Sequence, residues 1–575
     1  MLSLRGWTSV ETVTPSTPPY LQNSWRKHGN RIREHPCNMN SKWQLHTFLL
    51  LFIVILNLEA ARILGIFGHN GKSHFDAFKP LMVALSKRGH DVVVASHFPQ
   101  KISLTNYTDI SLEGSAENNG TKAVTLEIID KLSQWIISPM LTSFGQKNCE
   151  AVFQYPPIQM LLKSDEKFDL LISELFNTDC YLGFVHKFKV PHISLSSHVL
   201  MPWANGRVGN PDNPGYIPHL FSLEPHKMNL LQRIMNTVSL LYHKLVYSLL
   251  ASRWNQAIIS EWFAGSPALD DIRRNTSLIL VNSHFSVNGA RPLVPGVVEV
   301  GGLHIRQPKK LPEVRRRVRL PREQDLDKFI SEAKHGVVYF SMGSMIRAET
   351  FPEEKRRAFL EAFSELPQRV LWKWEGGELP DQPSNVLTQK WMPQNDILSH
   401  TKVLAYMSHC GNLGSLEAAS AGVPVVGLPM YGDQFNNARS LEQAGMAVIL
   451  RYGDVTKSTV LRALRAVLDH PSYQENAKRV SRAFNDRPLS PLDTAVYWTE
   501  YVIKASWSTA HAHSSRRYAL VPVPTPRCHR CTFYRRDPLT RSSPDRDSNL
   551  DGLAQHDWSV INYDTEAGFI NSYIQ

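Results

Sequence analysis

The chain has 575 residues, 42% of them hydrophobic and 20% charged, with a formal charge of +11. That length exceeds one compact core and predicts two large domains with tails, and the composition excludes a disordered or fibrous chain. The positive excess sits in residues 1–46, with six Lys/Arg against two Asp/Glu, and in Arg306 to Arg322, with eight against one, so the neutral remainder excludes a nucleic-acid groove.

Residues 1–38 are a polar extension. Residues 39–61 have the layout of a secretory signal: Met39 as a start, a Lys, an apolar stretch from Phe48 to Leu58 too short to span a bilayer, then Ala60 and Ala61. An uncleaved anchor or a core strand is the alternative. Asn106, Asn119 and Asn275 open Asn-x-Ser/Thr sequons, which agree with a lumenal route. The six cysteines (37, 149, 180, 410, 528 and 531) allow one or two bridges, not a disulfide scaffold. Cys528 and Cys531 have metal-knuckle spacing without a matching second pair, so they read as part of a polar tail.

"ARILGIFG" predicts a strand, the helical spacing of Phe75, Phe78, Leu81, Met82 and Leu85 a helix, and "RGHDVVVAS" a second strand. "FDLLIS" and "VPHISLSS" flank a helical "CYLGFVHKF" and repeat the unit. Residues 216–265 are helical by periodicity, rich in Leu, Met, Trp and Tyr, and read as core, with the wall of an apolar cavity as the alternative. Gly-Gly, prolines and dense positive charge mark an interdomain linker at 301–325, whose Arg run reads as a solvated loop. Beyond it, "GVVYFS", "RVLWKW", "NVLTQKW", "VLAYMS", "VPVVGLP" and "MAVILRY" are strands separated by helices, with Gly422 and Gly445 as helix stops. Such spacing predicts an α/β fold of two doubly wound Rossmann-like domains facing a cleft, 62–300 and 326–480. Residues 481–504 are expected to form a helix packing back on the first domain, and 505–575 a divergent, disordered tail. Ligands of such sheets gather at strand C-termini, here the loops after Ser341, Trp391 and Ser408.

"SHCGNLGSLEAASAG" follows one of these strands and opens a helix, so its unpaired amides and dipole suit a phosphate. Gly411 and Gly414 allow close approach, and His409 can donate a hydrogen bond or a positive charge. Glu417, one turn in, would repel phosphate and suits ribose hydroxyls. Cys410 as a nucleophile would need a general base, and none is apparent beside it.

"WMPQNDILSH" followed by "SHCGNLGSLEAASAGVPVVGLPMYGDQ" closely resembles the signature of the UDP-glycosyltransferases in their animal, insect-like form. "SHFDAFKPLMVALSKRGHDVVV", "FDLLISELFNTDCYLGFVHKF", "VEVGGLHI", "AKHGVVYFSMGS" and "PLDTAVYWTEYV" fall in the family's order across residues 61–504. The resemblance implies a GT-B fold. It implies that Trp391 stacks on uracil, Gln394 bonds to it and Glu417 takes the ribose. His409 and the amides of Leu413, Gly414 and Ser415 would hold the diphosphate, with Ser341 and Ser344 close by, and Asp433 and Gln434 would bind the sugar. Each role suits its chemistry: an indole face for a base, carboxylate and amide for hydroxyls. His74, at the start of the first helix, would be the general base, held by Glu174, with Asp179 as the fallback.

The implied reaction is an inverting transfer of a hexosyl group, glucose by expectation, from UDP to a hydroxyl of a small lipophilic acceptor such as a phenolic, xenobiotic or steroid. UDP-sugar is the co-substrate, and neither cofactor nor metal is required. The Asp-x-Asp runs at Asp325 to Asp327 and Asp545 to Asp547 lie in linker or tail and read as incidental. The resemblance implies the lumen of the endoplasmic reticulum, with membrane association in view, although the family's C-terminal anchor is absent after Lys504. An Arg-rich insertion at Val314 to Glu323 is a second departure. Oligomeric state stays open. A non-catalytic UDP-sugar-binding protein and a sugar-nucleotide epimerase of the same architecture are the alternatives.

Overall fold

The computed structural model describes residues 60–115, 133–309 and 326–511, the side chains of 507–511 excepted. The signal-like stretch up to Glu59, Asn119, most of the Arg-rich linker, Cys37, Cys528, Cys531 and the second Asp-x-Asp run lie outside them.

The first domain is built on seven strands: β1 (Arg62–Phe67), β2 (Asp91–Ser96), β3 (Tyr107–Ser111), β4 (Leu170–Glu174), β5 (His192–Ser196), β6 (Thr276–Val281) and β7 (Val297–Glu299). All pair in parallel, in the order β3-β2-β1-β4-β5-β6-β7. The central strands are buried on both faces, which is why they read as continuous apolar runs. The second domain holds β8 (Val337–Ser341), β9 (Arg369–Lys373), β10 (Val386–Gln389), β11 (Val403–Ser408), β12 (Val425–Gly427) and β13 (Ala447–Ile449), also parallel, in the order β10-β9-β8-β11-β12-β13. Each order reverses direction once, between β1 and β4 and between β8 and β11, and these switch points locate the two halves of the site.

Six helices matter to the argument: α1 (Lys72–Lys87), α2 (Gln134–Gln154), α3 (Leu230–Val246), α4 (Asn412–Ala421), α5 (Pro471–Asn485) and α6 (Pro491–His511). In α1, Phe75, Phe78, Leu81, Met82 and Leu85 are buried against β1 and β2, as their spacing predicts. The predicted stops Gly422 and Gly445 both take positive φ. The expected boundary at 481 falls inside α5, whose Ala477, Val480 and Phe484 share a core with Leu416 and Ala418 of α4. The returning helix is α6: it starts at Pro491 after a Pro-containing break and buries Ala495, Val496, Val502 and Ile503 in the first domain's core. Glu500 of α6 accepts from Arg88 at 2.5 and 3.1 Å. Residues 216–265 do not form core throughout, because α3 turns much of its apolar surface outward.

Asp179 is buried behind β4, beside the Cys149–Cys180 disulfide. Arg207 donates to its Oδ1 at 2.6 Å, and Tyr247 and Arg273 donate to Oδ2 at 2.8 Å each. Burial alone would raise its pKa, but the two guanidiniums hold it well below the usual carboxylate range. Removing this carboxylate strands two buried cations, so Asp179→Ala is expected to cost about 3–5 kcal/mol in urea unfolding.

Candidate active site

The C-terminal ends of both sheets open onto one crevice of about 1220 Å³, lined from one side by His69, His74 and His198 and from the other by His409, Asp433 and Gln434. On the first side, β1 leads into α1, whose first turn presents His74, and Glu174 is the last residue of β4, next to β1 in the sheet. His74 Nδ1 lies 2.6 Å from Glu174 Oε1 and 3.1 Å from Ser197 Oγ. Burial holds the imidazole down to about 4 and pushes Glu174 up. The ring is therefore neutral, donates from Nδ1 to the carboxylate, and keeps its lone pair on Nε2. Asp179 is not brought to His74, since both its oxygens are taken by the arginines and Tyr247.

His69 and His198 flank His74 at ring separations of 4.5 and 5.9 Å, and Phe176 lies 4.5 Å away. Burial keeps both flanking histidines neutral too. His198 Nδ1 donates to the carbonyl of Val199 at 2.9 Å, so its tautomer leaves an acceptor at Nε2. Ser197, His69 and His198 escaped the sequence reading. The polar "SSH" directly after the apolar β5 was the available signal, because it had to emerge at the sheet's ligand-facing edge.

On the second side, α4 is preceded by Gly411 as its N-cap, with no side-chain cap. Ser415 already donates its amide to Gly411 O at 3.0 Å, and its side chain is buried away from the crevice. The expected Ser415 contribution is thus corrected: the unspent amides lie earlier, through Gly414, in the helix's first turn. The ring of His409 is clasped between Gly343 and Gly411, where an added Cβ would come within 2.4 and 2.5 Å of it. Burial, then Lys373, holds His409 down to about 4, so it offers a hydrogen bond rather than a charge. A formal cation beside it is Lys373, unmarked in the sequence: it donates to Gly343 O at 2.9 Å, pairs with Glu375, and lies 5.8 Å from the Trp391 ring. Ser341 Oγ accepts from the Gly343 amide at 3.2 Å, and Ser344 lines the crevice. Burial pushes the Cys410 thiol up to about 12, which removes it as a nucleophile.

Trp391 stands 63% exposed, an open indole face with Lys72 of α1 over it at 5.9 Å. Gln394 is not free to read a base edge. Its Oε1 accepts from Tyr339 and Tyr406 at 3.2 and 3.0 Å, and its Nε2 donates to Glu417 Oε2 at 2.5 Å. Glu417 is pushed up to about 7 by burial. Asp433 Oδ2 accepts from Asn437 at 2.8 Å, and Gln434 Oε1 accepts from the amides of Met430 and Tyr431 at 2.8 and 3.2 Å. The second carboxylate oxygen of Asp433 remains for a ligand, and the NH2 end of Gln434 lies by the Tyr431 hydroxyl. Asp327, the described member of the Asp-x-Asp runs, lies in the helix Leu326–Ser331 and does not line the crevice. Asn106 and Asn275 are both exposed.

The family model described as "UDP-glucoronosyl and UDP-glucosyl transferase" matches residues 69–514. UDP-glycosyltransferase UGT5 of Dactylopius coccus is 43% identical over 467 residues, covering 80% of this chain and 86% of its own. UDP-glucosyltransferase 2 of the same insect is 42% identical over 461 residues, 79% of this chain and 87% of its own. Among solved structures, the spinosyn forosaminyltransferase SpnP is 18% identical with a TM-score of 0.49, covering 77% of this chain and 99% of that one.

A Glu417 whose pKa is raised must lose its proton before both oxygens can accept ribose hydroxyls. Uridine is therefore expected to bind more tightly as pH rises through about 7. Calorimetry checks this, and Glu417→Gln is expected to flatten the dependence.

Proposed function

The chain belongs to the UDP-glucoronosyl and UDP-glucosyl transferase family and is a UDP-glycosyltransferase, and on that premise we propose an inverting transfer of glucose from UDP-glucose to a hydroxyl of a small lipophilic acceptor. The observation that carries the proposal is the neutral His74, fixed by Glu174, facing the uncapped start of α4 across one crevice. His74 Nε2 takes the acceptor proton as the oxygen attacks the anomeric carbon. The bond from that carbon to the diphosphate oxygen breaks, and UDP leaves with the electron pair. The amides at the start of α4, His409 and Lys373 then stabilise the departing charge as an oxyanion hole does. Glu174 stabilises the imidazolium formed in the same step. No step in this scheme calls for a metal.

Trp391 supplies the face for uracil and Glu417 the ribose contact, while Gln394 serves by orienting Glu417. Asp433 and Gln434 take sugar hydroxyls. The 42% identity to a protein named UDP-glucosyltransferase supports glucose. Apolar walls from Met140, Leu141 and Phe144 of α2 suit a lipophilic acceptor. The Cys149–Cys180 disulfide and the exposed Asn106 and Asn275 support an oxidising compartment, the lumen of the endoplasmic reticulum.

UDP release is the assay, with UDP-glucose and UDP-glucuronate as donors across a panel of phenols. Phenol-dependent turnover with UDP-glucose is expected, and donor binding without acceptor-dependent turnover would contradict the proposal. His74→Ala should lower kcat by about 10²- to 10⁴-fold while UDP affinity holds. At saturating substrate, kcat of the unaltered protein should show no fall near 6.5, declining only as pH approaches about 4, where His74 becomes charged.

A further inference from the structure

α3 is amphipathic in the inverted sense. Its buried face is mostly polar: beside Leu240 it carries Asn236, Ser239 and His243, at most 3% exposed, with Asn236 donating to the carbonyls of Pro214 and Ile217 at 2.8 Å and His243 paired with Ser138 at 2.6 Å. Its outward face carries Leu230, Leu231, Leu241 and Leu245, exposed by 76, 69, 60 and 57%. Ile234 and Val238 lie between them, and a wide π turn, Tyr247–Ala251, continues the stripe with Leu249 and Leu250. A continuous apolar face of this extent in water calls for a partner. The charge around it says which. Residues 225–260, bounded by Glu224 and Glu261, contain Lys227, Arg233, Lys244 and Arg253 and no Asp or Glu, and among the described residues the one acid ion-paired to them is Asp212, on Lys244. A second copy of the same face would set like charges against each other, whereas an anionic surface complements them. A Leu-rich face flanked by Lys and Arg is the chemistry of a helix lying in the interface of a bilayer.

We propose that α3 and the turn after it form a docking face for an anionic phospholipid bilayer, independently of the transfer reaction. α2, which packs beside α3, also lines the crevice through Phe144, so docking would bring the acceptor side close to the membrane. The test is flotation of the full chain with vesicles of phosphatidylcholine and phosphatidylserine. The unaltered protein is expected to float with them and to bind phosphatidylcholine alone more weakly. The triple variant Leu231→Ser, Leu241→Ser, Leu245→Ser should lose about tenfold or more in bound fraction while keeping UDP affinity. Undiminished binding by the triple variant overturns the proposal, as does a solution dimer that the variant abolishes while vesicle binding persists. Should the variant misfold, Leu245→Trp keeps the face apolar: quenching of its fluorescence by brominated lipid supports the proposal, and no quenching beyond the unaltered protein's overturns it.

Asn412, the first residue of α4, carries a second inference that rests on the transferase reading. Its amide belongs to the first turn expected to hold the diphosphate, yet its side chain is buried and points to the other domain. There Nδ2 donates to Ser197 O at 3.0 Å and Asn282 O at 2.8 Å. Asn282 Nδ2 also donates to Ser197 O, at 3.0 Å, while its Oδ1 accepts from Gly302 at the start of the linker. Ser197 in turn touches His74 through Oγ. We infer that Asn412 is a positioning residue that registers the donor cradle against the His74 base. Asn412→Asp is nearly isosteric but puts an oxygen in place of Nδ2 against two carbonyls. It is expected to lower kcat about 10- to 100-fold with UDP affinity within about threefold. Asn282→Ala keeps the carbonyl that Asn412 reaches but removes the side chain that holds Ser197 O and the Gly302 amide, and should repeat that split. A kcat near that of the unaltered protein in both variants overturns the inference, as does a loss of UDP affinity equal to the loss of kcat. No turnover by the unaltered protein would overturn the transferase reading, and this inference with it.

Discussion

The first turn of α4 has no side-chain cap, and the rest of the crevice is arranged around its unspent amides. A cap residue there would satisfy the helix and occupy the place proposed for the diphosphate at once. The neighbourhood is kept compatible with negative charge in three ways. His409 is clasped between Gly343 and Gly411, positions that tolerate no Cβ, so it offers a fixed donor. Lys373 supplies the cation from β9. Glu417, one turn into the helix, is drawn toward Gln394 and the two tyrosines behind it.

Burial sets the protonation states on both sides of the crevice. His69, His74, His198 and His409 are all held neutral by desolvation, which leaves His74 able to accept a proton without a competing cation beside it. A base and a leaving-group cradle built on separate sheets are useful only in register. The buried amide of Asn412, inserted between Ser197 and Asn282, ties the start of α4 to the loop beside His74, alongside the bonds of His304 to Leu413 O and Asn436 to His219 O.

Much of this was legible in the sequence because the signals were local. Doubly buried strands such as β1, β4 and β11 read as apolar runs, α1 showed its spacing, and the glycines around His409 marked a helix start after a strand. Edge strand β3, "YTDIS", has one fully buried residue and no apolar pattern to find. The apolar β6, "TSLILV", carries the same local signal as the other buried strands. Side-chain destinations were less accessible. Ser415 sits in the motif yet is spent inside the helix, Gln394 turns toward Glu417, and Asp179 meets arginines 28 and 94 residues away in sequence. The Leu-rich stretch around α3 misled for a physical reason: periodicity says that a helix has an apolar face, not which way that face points.

The proposed reaction is a single direct displacement at the anomeric carbon, with His74 as base and UDP leaving into the start of α4. The most direct measurement is the anomeric configuration, by NMR, of the product formed from UDP-α-glucose and a phenol. A β-glucoside is the result that direct displacement requires. An α-glucoside would mean retention, and would contradict both the mechanism and the role given to His74.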